Sequence, residues 1–169
     1  MSEKKTEAFV QYLFERICQK KDKGFAAKLK KGDNEATEIQ SWEILARWVD
    51  LEKVLEVKAF GLVGAAVARS SQQKDGSYGL GKALWLSLED KKDAESSSAA
   101  ARLRRLLSCQ DRLELMRILR PTIGFLQSKE ISMDYSRLLD EILLFDGDNS
   151  RERVRTRWAM EFFGQKEAE

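Results

Sequence analysis

The chain predicts an all-α fold: two small helical bundles, an N-terminal and a C-terminal lobe, joined by a polar linker. Three observations carry that expectation. Leu, Ala, Glu, Lys and Arg dominate the 169 residues and Pro121 is the only proline, a composition that favours helix. No sustained alternation of Val, Ile and Thr marks a strand. Apolar residues recur instead at spacings of three and four along most of the chain.

Phe9, Leu13 and Ile17, flanked by Val10 and Phe14, make the first stripe. Gly24 interrupts a basic stretch, 25–31 forms one or two further turns, and Gly32, Asp33 and Asn34 signal a reversal. Trp42, Leu45 and Val49, with Trp48 beside them, make the next stripe. Residues 55–68 are apolar on nearly every face, which predicts a helix buried on all sides. Gly61 and Gly64 within it would let neighbours approach closely. A polar loop over 70–79 precedes a helix over 80–88. The stretch 89–98, with Asp90, Lys91, Lys92, Asp93, Glu95 and three serines, reads as the linker, so the lobes are expected at 1–92 and 93–169. Helices follow over 99–108, with Leu103, Leu106 and Leu107 on one face, and over 111–119. A break or kink is expected at Pro121, with 123–127 beyond it. Ser132 is the expected N-cap of a helix carrying Tyr135, Leu138, Leu139, Ile142 and Phe145. Asn149 and Glu152 resemble a capping box for the last helix, with Val154, Trp158 and Phe162 inward.

Several chemistries are disfavoured. The chain has no histidine, so a serine or cysteine nucleophile lacks its usual base. Cys18 and Cys109 are too isolated for a zinc framework and are expected as two buried free thiols. No metal, cofactor or catalytic residue is expected. Asp140 and Glu141 are adjacent on a helix and do not face each other. The segment Gly76-Ser77-Tyr78-Gly79-Leu80-Gly81-Lys82-Ala83 nearly matches a phosphate-cradling loop. Ala83, however, replaces the magnesium-binding hydroxyl and no strand precedes it, so a loop whose glycines open a helix is expected. The polar N-terminus lacks a signal-peptide core, and the longest apolar run, 59–68, is short of a membrane span. A cytoplasmic protein is expected.

The net charge is only +2, so clustering must carry any argument about charge. Arg16, Lys20, Lys21, Lys23, Lys28, Lys30 and Lys31 form one cluster; Arg102, Arg104 and Arg105 a second; Arg151, Arg153, Arg155 and Arg157 a third. Arg102 and Arg105 point outward beside their leucine stripe. In the last helix Arg155 flanks the stripe on one side, Arg153 and Arg157 on the other. Such cations suit phosphate oxygens. They could equally cover apolar surface with their stems, or pair with carboxylates of a partner protein. Trp42, Trp48, Trp85 and Trp158 fall at or near core spacings, so electrostatic tracking of a backbone is expected rather than base stacking.

An ordered set of short motifs gives a resemblance. Gly24-Phe25-Ala26-Ala27-Lys28-Leu29-Lys30-Lys31 is followed by Trp42 to Trp48, by Gly79-Leu80-Gly81-Lys82-Ala83-Leu84, by Arg102-Leu103-Arg104-Arg105-Leu106-Leu107 and by Val154-Arg155-Thr156-Arg157-Trp158-Ala159. Over most of its length the chain resembles the small subunit (CasB) of the type I-E CRISPR surveillance complex, Cascade. That resemblance implies an all-helical, non-catalytic subunit, present in two copies placed head to tail against the backbone subunits and beside the large subunit. It implies contact with guide RNA, target DNA and the displaced non-target strand. Lys30 and Lys31 look like the family's paired basic site, Lys82 like the basic residue after its Leu-Gly. Arg102 resembles the residue opening the helix after the linker, and Arg120 the one ending the next helix. With Lys28, Arg105, Arg153 and Arg157 from the clusters, these are the expected nucleic-acid contacts. Lysine at 30, 31 and 82, where the family often has arginine, keeps the charge and loses the planar fork.

Overall fold

Residues 57–67 are buried on every face except at Lys58, and the helix that contains them, α4 (Val54–Arg69), becomes the central element. In the computed structural model, which describes residues 4–165, α4 is wrapped from two sides. On one side lie α1 (Lys5–Phe14), prolonged by a π turn over Glu15–Gln19, α2 (Lys23–Leu29) and the short α3 (Trp42–Leu45). On the other lie α7 (Arg112–Ser128) and α8 (Tyr135–Leu143). Beyond them α9 (Asp148–Phe163) packs against α5 (Leu80–Leu86) and α6 (Ser98–Ser108). Among the described residues nine α-helices, with 3-10 turns at Glu38–Ser41 and Lys91–Ser96, bear out the all-α class. Among the described residues the sole extended pairing is an isolated bridge between Tyr78 and Met133.

The polar stretch expected as a linker is a 3-10 turn, held by Lys91 Nζ donating to Trp85 O at 2.7 Å and Leu88 O at 3.2 Å. Contacts pass across it: α5 lies on α9 and α6, and α8 lies on α1 and α4. Buried side chains from Phe9 to Phe162 form one apolar cluster. No helix among the described residues is long and apolar enough to cross a membrane.

Several local expectations need correction. Of the break or kink expected at Pro121, no break forms: α7 runs through Pro121 as one helix. Pro121 and Arg117 are both exposed, so the hydrogen bond that proline cannot make is lost on the solvent side, while Leu119, Thr122, Ile123 and Leu126 hold the helix by burial. Asp134, not Ser132, caps α8, its carboxylate accepting from Arg137 N at 2.9 Å. Gly147, not Asn149, precedes α9, and no side-chain cap forms there. Of the two cysteines, both free, Cys109 is buried and Cys18 only partly so.

Gly61 acts on a turn rather than on a helix. A Cβ there would meet Gly32 O at 2.5 Å, and one on Gly32 would meet Gly61 O at 3.1 Å. Two glycines back to back let the 32–34 turn rest directly on α4, which sets the position of Asp33.

Candidate nucleic-acid interface

The Gly32–Gly61 contact places Asp33 at the mouth of a groove between α4 and α7. The Asp33 side chain is only 3% exposed, yet it serves two arginines. Arg69, at the end of α4, grips both carboxylate oxygens and donates Nη2 to Lys30 O at 2.8 Å. Arg120, from α7, places Nε 3.4 Å from Asp33 Oδ2, and among the described residues both its Nη groups remain unengaged. One turn earlier on α7, exposed Arg117 lines the same groove and has no ion-pair partner among the described residues. Two adjoining hollows of about 390 and 420 Å³ result, floored by Leu62, Met116 and Ile123. Lys58 sits at the far end, paired with Glu38 at 3.3 Å and Glu35 at 3.8 Å. Two guanidiniums therefore share the Asp33 carboxylate and a third, Arg117, lines the same shallow groove, whose far end holds Glu35 and Glu38 with Lys58. Free guanidinium donors in a fork suit phosphate or carboxylate oxygens.

Of the residues expected from sequence, Arg120 lines the groove; Lys30 meets it through its backbone carbonyl, which accepts from Arg69. Lys31 is exposed beside them, its carbonyl accepting from Thr37 Oγ1 at 3.0 Å. Lys28 points to the other side of α2 and pairs with Glu43. Arg102 lies on the opposite flank of α7, its guanidinium 4.5 Å from the centroid of the Phe125 ring. Arg105, one turn on, is exposed. Lys82 is remote from the groove, its Nζ donating to Gln165 Oε1 at 3.2 Å. Arg153 and Arg157 are exposed on α9, and Arg157 acts on buried Glu141.

Arg151 and Arg155, both largely buried, turn inward. Arg151 Nη1 donates to Gln110 O at 2.8 Å and Phe145 O at 3.3 Å, and Arg155 donates to Cys109 O. They tie the start of α9 to the α6–α7 connection. Sequence reasoning missed Arg69 and Arg117, which lie outside the three basic clusters, Arg69 as the only arginine of α4 and Arg117 between Arg112 and Arg120 on α7. Their only available signal was helical spacing: Arg117 lies three residues before Arg120, on one face.

Glu141 is 1% exposed between α8 and α9. Burial pushes its carboxyl up to about 7, against the opposing pull of Arg137, 3.4 Å away, and Arg157. The near-match to a phosphate loop has a packing explanation. Gly76 N donates to Met133 O at 2.9 Å. A Cβ on Gly81 would fall 2.7 Å from Glu161 Cβ, and one on Gly79 would fall 2.7 Å from Arg137 Cζ. These glycines bring α5 onto α9 and leave no cradle.

The class defined by this architecture is an all-helical protein with an arginine-lined surface groove. Within that class, the chain belongs to the CRISPR-associated protein Cse2 family, whose model matches residues 26–163. Solved structures of the same fold include CasB from Thermus thermophilus, at a TM-score of 0.73 and 24% identity over 98% of this chain and 100% of that one. CasB from M. ruber gives a TM-score of 0.72 and 22% identity over 96% and 94%. A chain from a CRISPR RNA-guided surveillance complex gives 0.73 and 19% over 95% and 94%. No curated protein matches the chain in sequence.

Proposed function

We propose that this chain is the small, non-catalytic subunit of an RNA-guided CRISPR surveillance complex, Cascade. In this reading it holds nucleic-acid backbone without sequence preference. It steadies the hybrid of guide RNA and target DNA together with the displaced non-target strand. Family membership supports the assignment, and the observation that carries the binding role is the α4–α7 groove, where Arg69 and Arg120 share the buried Asp33 carboxylate and Arg117 lines the same groove. Base pairing supplies sequence specificity in guided recognition, so the protein need only grip phosphate. Asp33 takes part of the charge of Arg69 and Arg120 and in return fixes their direction, which lowers the ordering cost when a phosphate arrives.

The expected setting is cytoplasmic, beside the backbone and large subunits and a second copy of this chain. Exposed Ile39 and Val54, 68% and 58% accessible, suit a subunit that packs against protein neighbours. The same exposure favours a second reading, a helical adaptor whose arginines pair with carboxylates on those neighbours.

One experiment separates the two. Affinity for single-stranded DNA is measured against salt for the wild type and for Lys30→Ala with Arg120→Gln. Each lost phosphate contact flattens the log–log slope by about 0.7, and an unchanged slope removes the groove as the contact. Arg120→Glu in the assembled complex completes the test. Normal assembly with impaired unwinding of target DNA supports backbone binding; failed assembly with unaltered DNA affinity of the free chain supports the adaptor.

A further inference from the structure

A second site lies at the far end of the molecule, where α5, the 91–96 turn and the last turn of α9 meet. There Trp85, Phe162, Phe163 and Gln165 line a cleft of about 380 Å³ with Lys91, Lys92, Asp93 and Glu95 at its rim. Phe162 is buried and holds Trp85 edge-on, with ring centroids 5.9 Å apart. Phe163 is different. It is 41% exposed, touches Phe162 edge-on and carries the Arg104 guanidinium 5.6 Å from its centroid. A phenylalanine so exposed at the end of a helix contributes little to the core.

The charges around this cleft are held in an unusual way. Lys82 donates to the Gln165 amide oxygen at 3.2 Å, Lys91 to the carbonyls of Trp85 and Leu88, and Arg104 Nη2 to Glu95 O at 2.8 Å. Each is anchored by a neutral oxygen, and among the described residues none has a carboxylate partner. Burial, and then the nearby Lys82, hold the Lys91 ammonium below the usual lysine range, while Asp93 and Glu95 at the rim pair with none of these three cations. In the α4–α7 groove, by contrast, Asp33 already compensates part of the charge.

We infer that this cleft binds one nucleotide of single-stranded nucleic acid, with the base stacked on Phe163 and the flanking phosphates on Lys82, Lys91 and Arg104. Aromatic side chains next to cations that are not held in ion pairs are the combination that seats single strands, because every base has a stacking face and every nucleotide a phosphate. The inference rests on the backbone-binding role proposed above and adds a base contact that tolerates any sequence. It also places Lys82, which lies outside the α4–α7 groove, in a site of its own.

The test uses the full chain with two oligomers of equal length and charge, oligodeoxythymidine and its abasic counterpart. The wild type is expected to prefer the base-bearing oligomer by about tenfold. Phe163→Leu, which keeps apolar bulk, should bring that ratio close to one without altering the salt dependence, and Phe163→Trp should retain it. Lys82→Gln and Arg104→Gln should each flatten the salt slope by about 0.7. Equal binding of both oligomers by the wild type, or an unchanged ratio in Phe163→Leu, overturns the stacking site and leaves backbone binding standing. If neither oligomer binds, both readings fall.

Discussion

The arginines at the start of α9 and those of the α4–α7 groove are opposites. Arg151, Arg153, Arg155 and Arg157 crowd into seven positions, yet Arg151 and Arg155 are spent on the carbonyls of Gln110, Phe145 and Cys109. Arg69, Arg117 and Arg120 come from two helices, and packing gathers them around Asp33. Density of charge along the chain therefore says little about density of charge in space. Available acceptors decide. Where a chain reversal leaves carbonyls without partners, an arginine becomes a staple; where one carboxylate serves several guanidiniums, donors remain for a ligand.

The largest expected effect tests the staple side. Arg151→Ala with Arg155→Ala removes charge-assisted bonds to backbone carbonyls from side chains only 14% and 18% exposed. The expected loss is about 3 kcal/mol of stability, read by urea denaturation. Their pairs with exposed Asp148 and Glu152 add little to that. Affinity for single-stranded DNA, measured below the unfolding transition, should not change. A large loss of affinity with intact stability would erase the distinction between the two groups.

Arg157 can be sorted by pH. Glu141, faced by Arg137, Arg157 and Glu161, has its carboxyl raised from an ordinary 4.5 to about 7. The folded state therefore binds more protons than the unfolded state between these values, and stability falls as pH rises through that window, by about 3 kcal/mol. Glu141→Gln should flatten the decline. Arg157→Ala should extend it to higher pH, because it removes a charge that favours the carboxylate, whereas Arg153→Ala should leave the profile as it is. Identical profiles for Arg157→Ala and Arg153→Ala would return Arg157 to the free surface.

Gly61→Ala reaches the groove through its frame. Alanine gains about 1 kcal/mol in helix propensity, but its Cβ would lie 2.5 Å from Gly32 O. Backbone yields less readily than a side chain, so a net loss of about 1 to 2 kcal/mol is expected. As the turn lifts, Asp33 leaves Arg69 and Arg120, and the salt slope for single-stranded DNA should change with stability. Stability loss without a change in slope would show that Asp33 does not aim those arginines.

These contrasts also mark what was legible in the sequence. α4 could be read because an all-round apolar run has one physical use, and the stripe of Val154, Trp158 and Phe162 because period alone buries it. Caps were less legible: Ser132 and Asp134 can both accept from a backbone N–H, and only the chain path brings Asp134 to Arg137 N. Pro121 misled because the cost of proline depends on which face loses its bond. In the candidate site, Lys30 and Arg120 were visible as basic residues in motifs. Asp33 read only as part of a turn, because its partners come from residues 36 and 87 positions away. Phe163 was passed over, since the stripe argument picks out Phe162 and says nothing of its neighbour.

The smallest expected effect is the sharpest test of the groove side. Arg117 is exposed and without an ion-pair partner among the described residues, so Arg117→Gln should shift stability by no more than about 0.5 kcal/mol. A ligand phosphate in the groove would meet this guanidinium with all its donors free, and its loss should flatten the salt slope by about 0.7. Stability and binding then separate within one substitution, the reverse of the pattern expected for Arg151 with Arg155. If Arg117→Gln lowers stability by more than 1 kcal/mol and leaves the slope alone, its donors are engaged within the fold, and the groove arginines are staples as well.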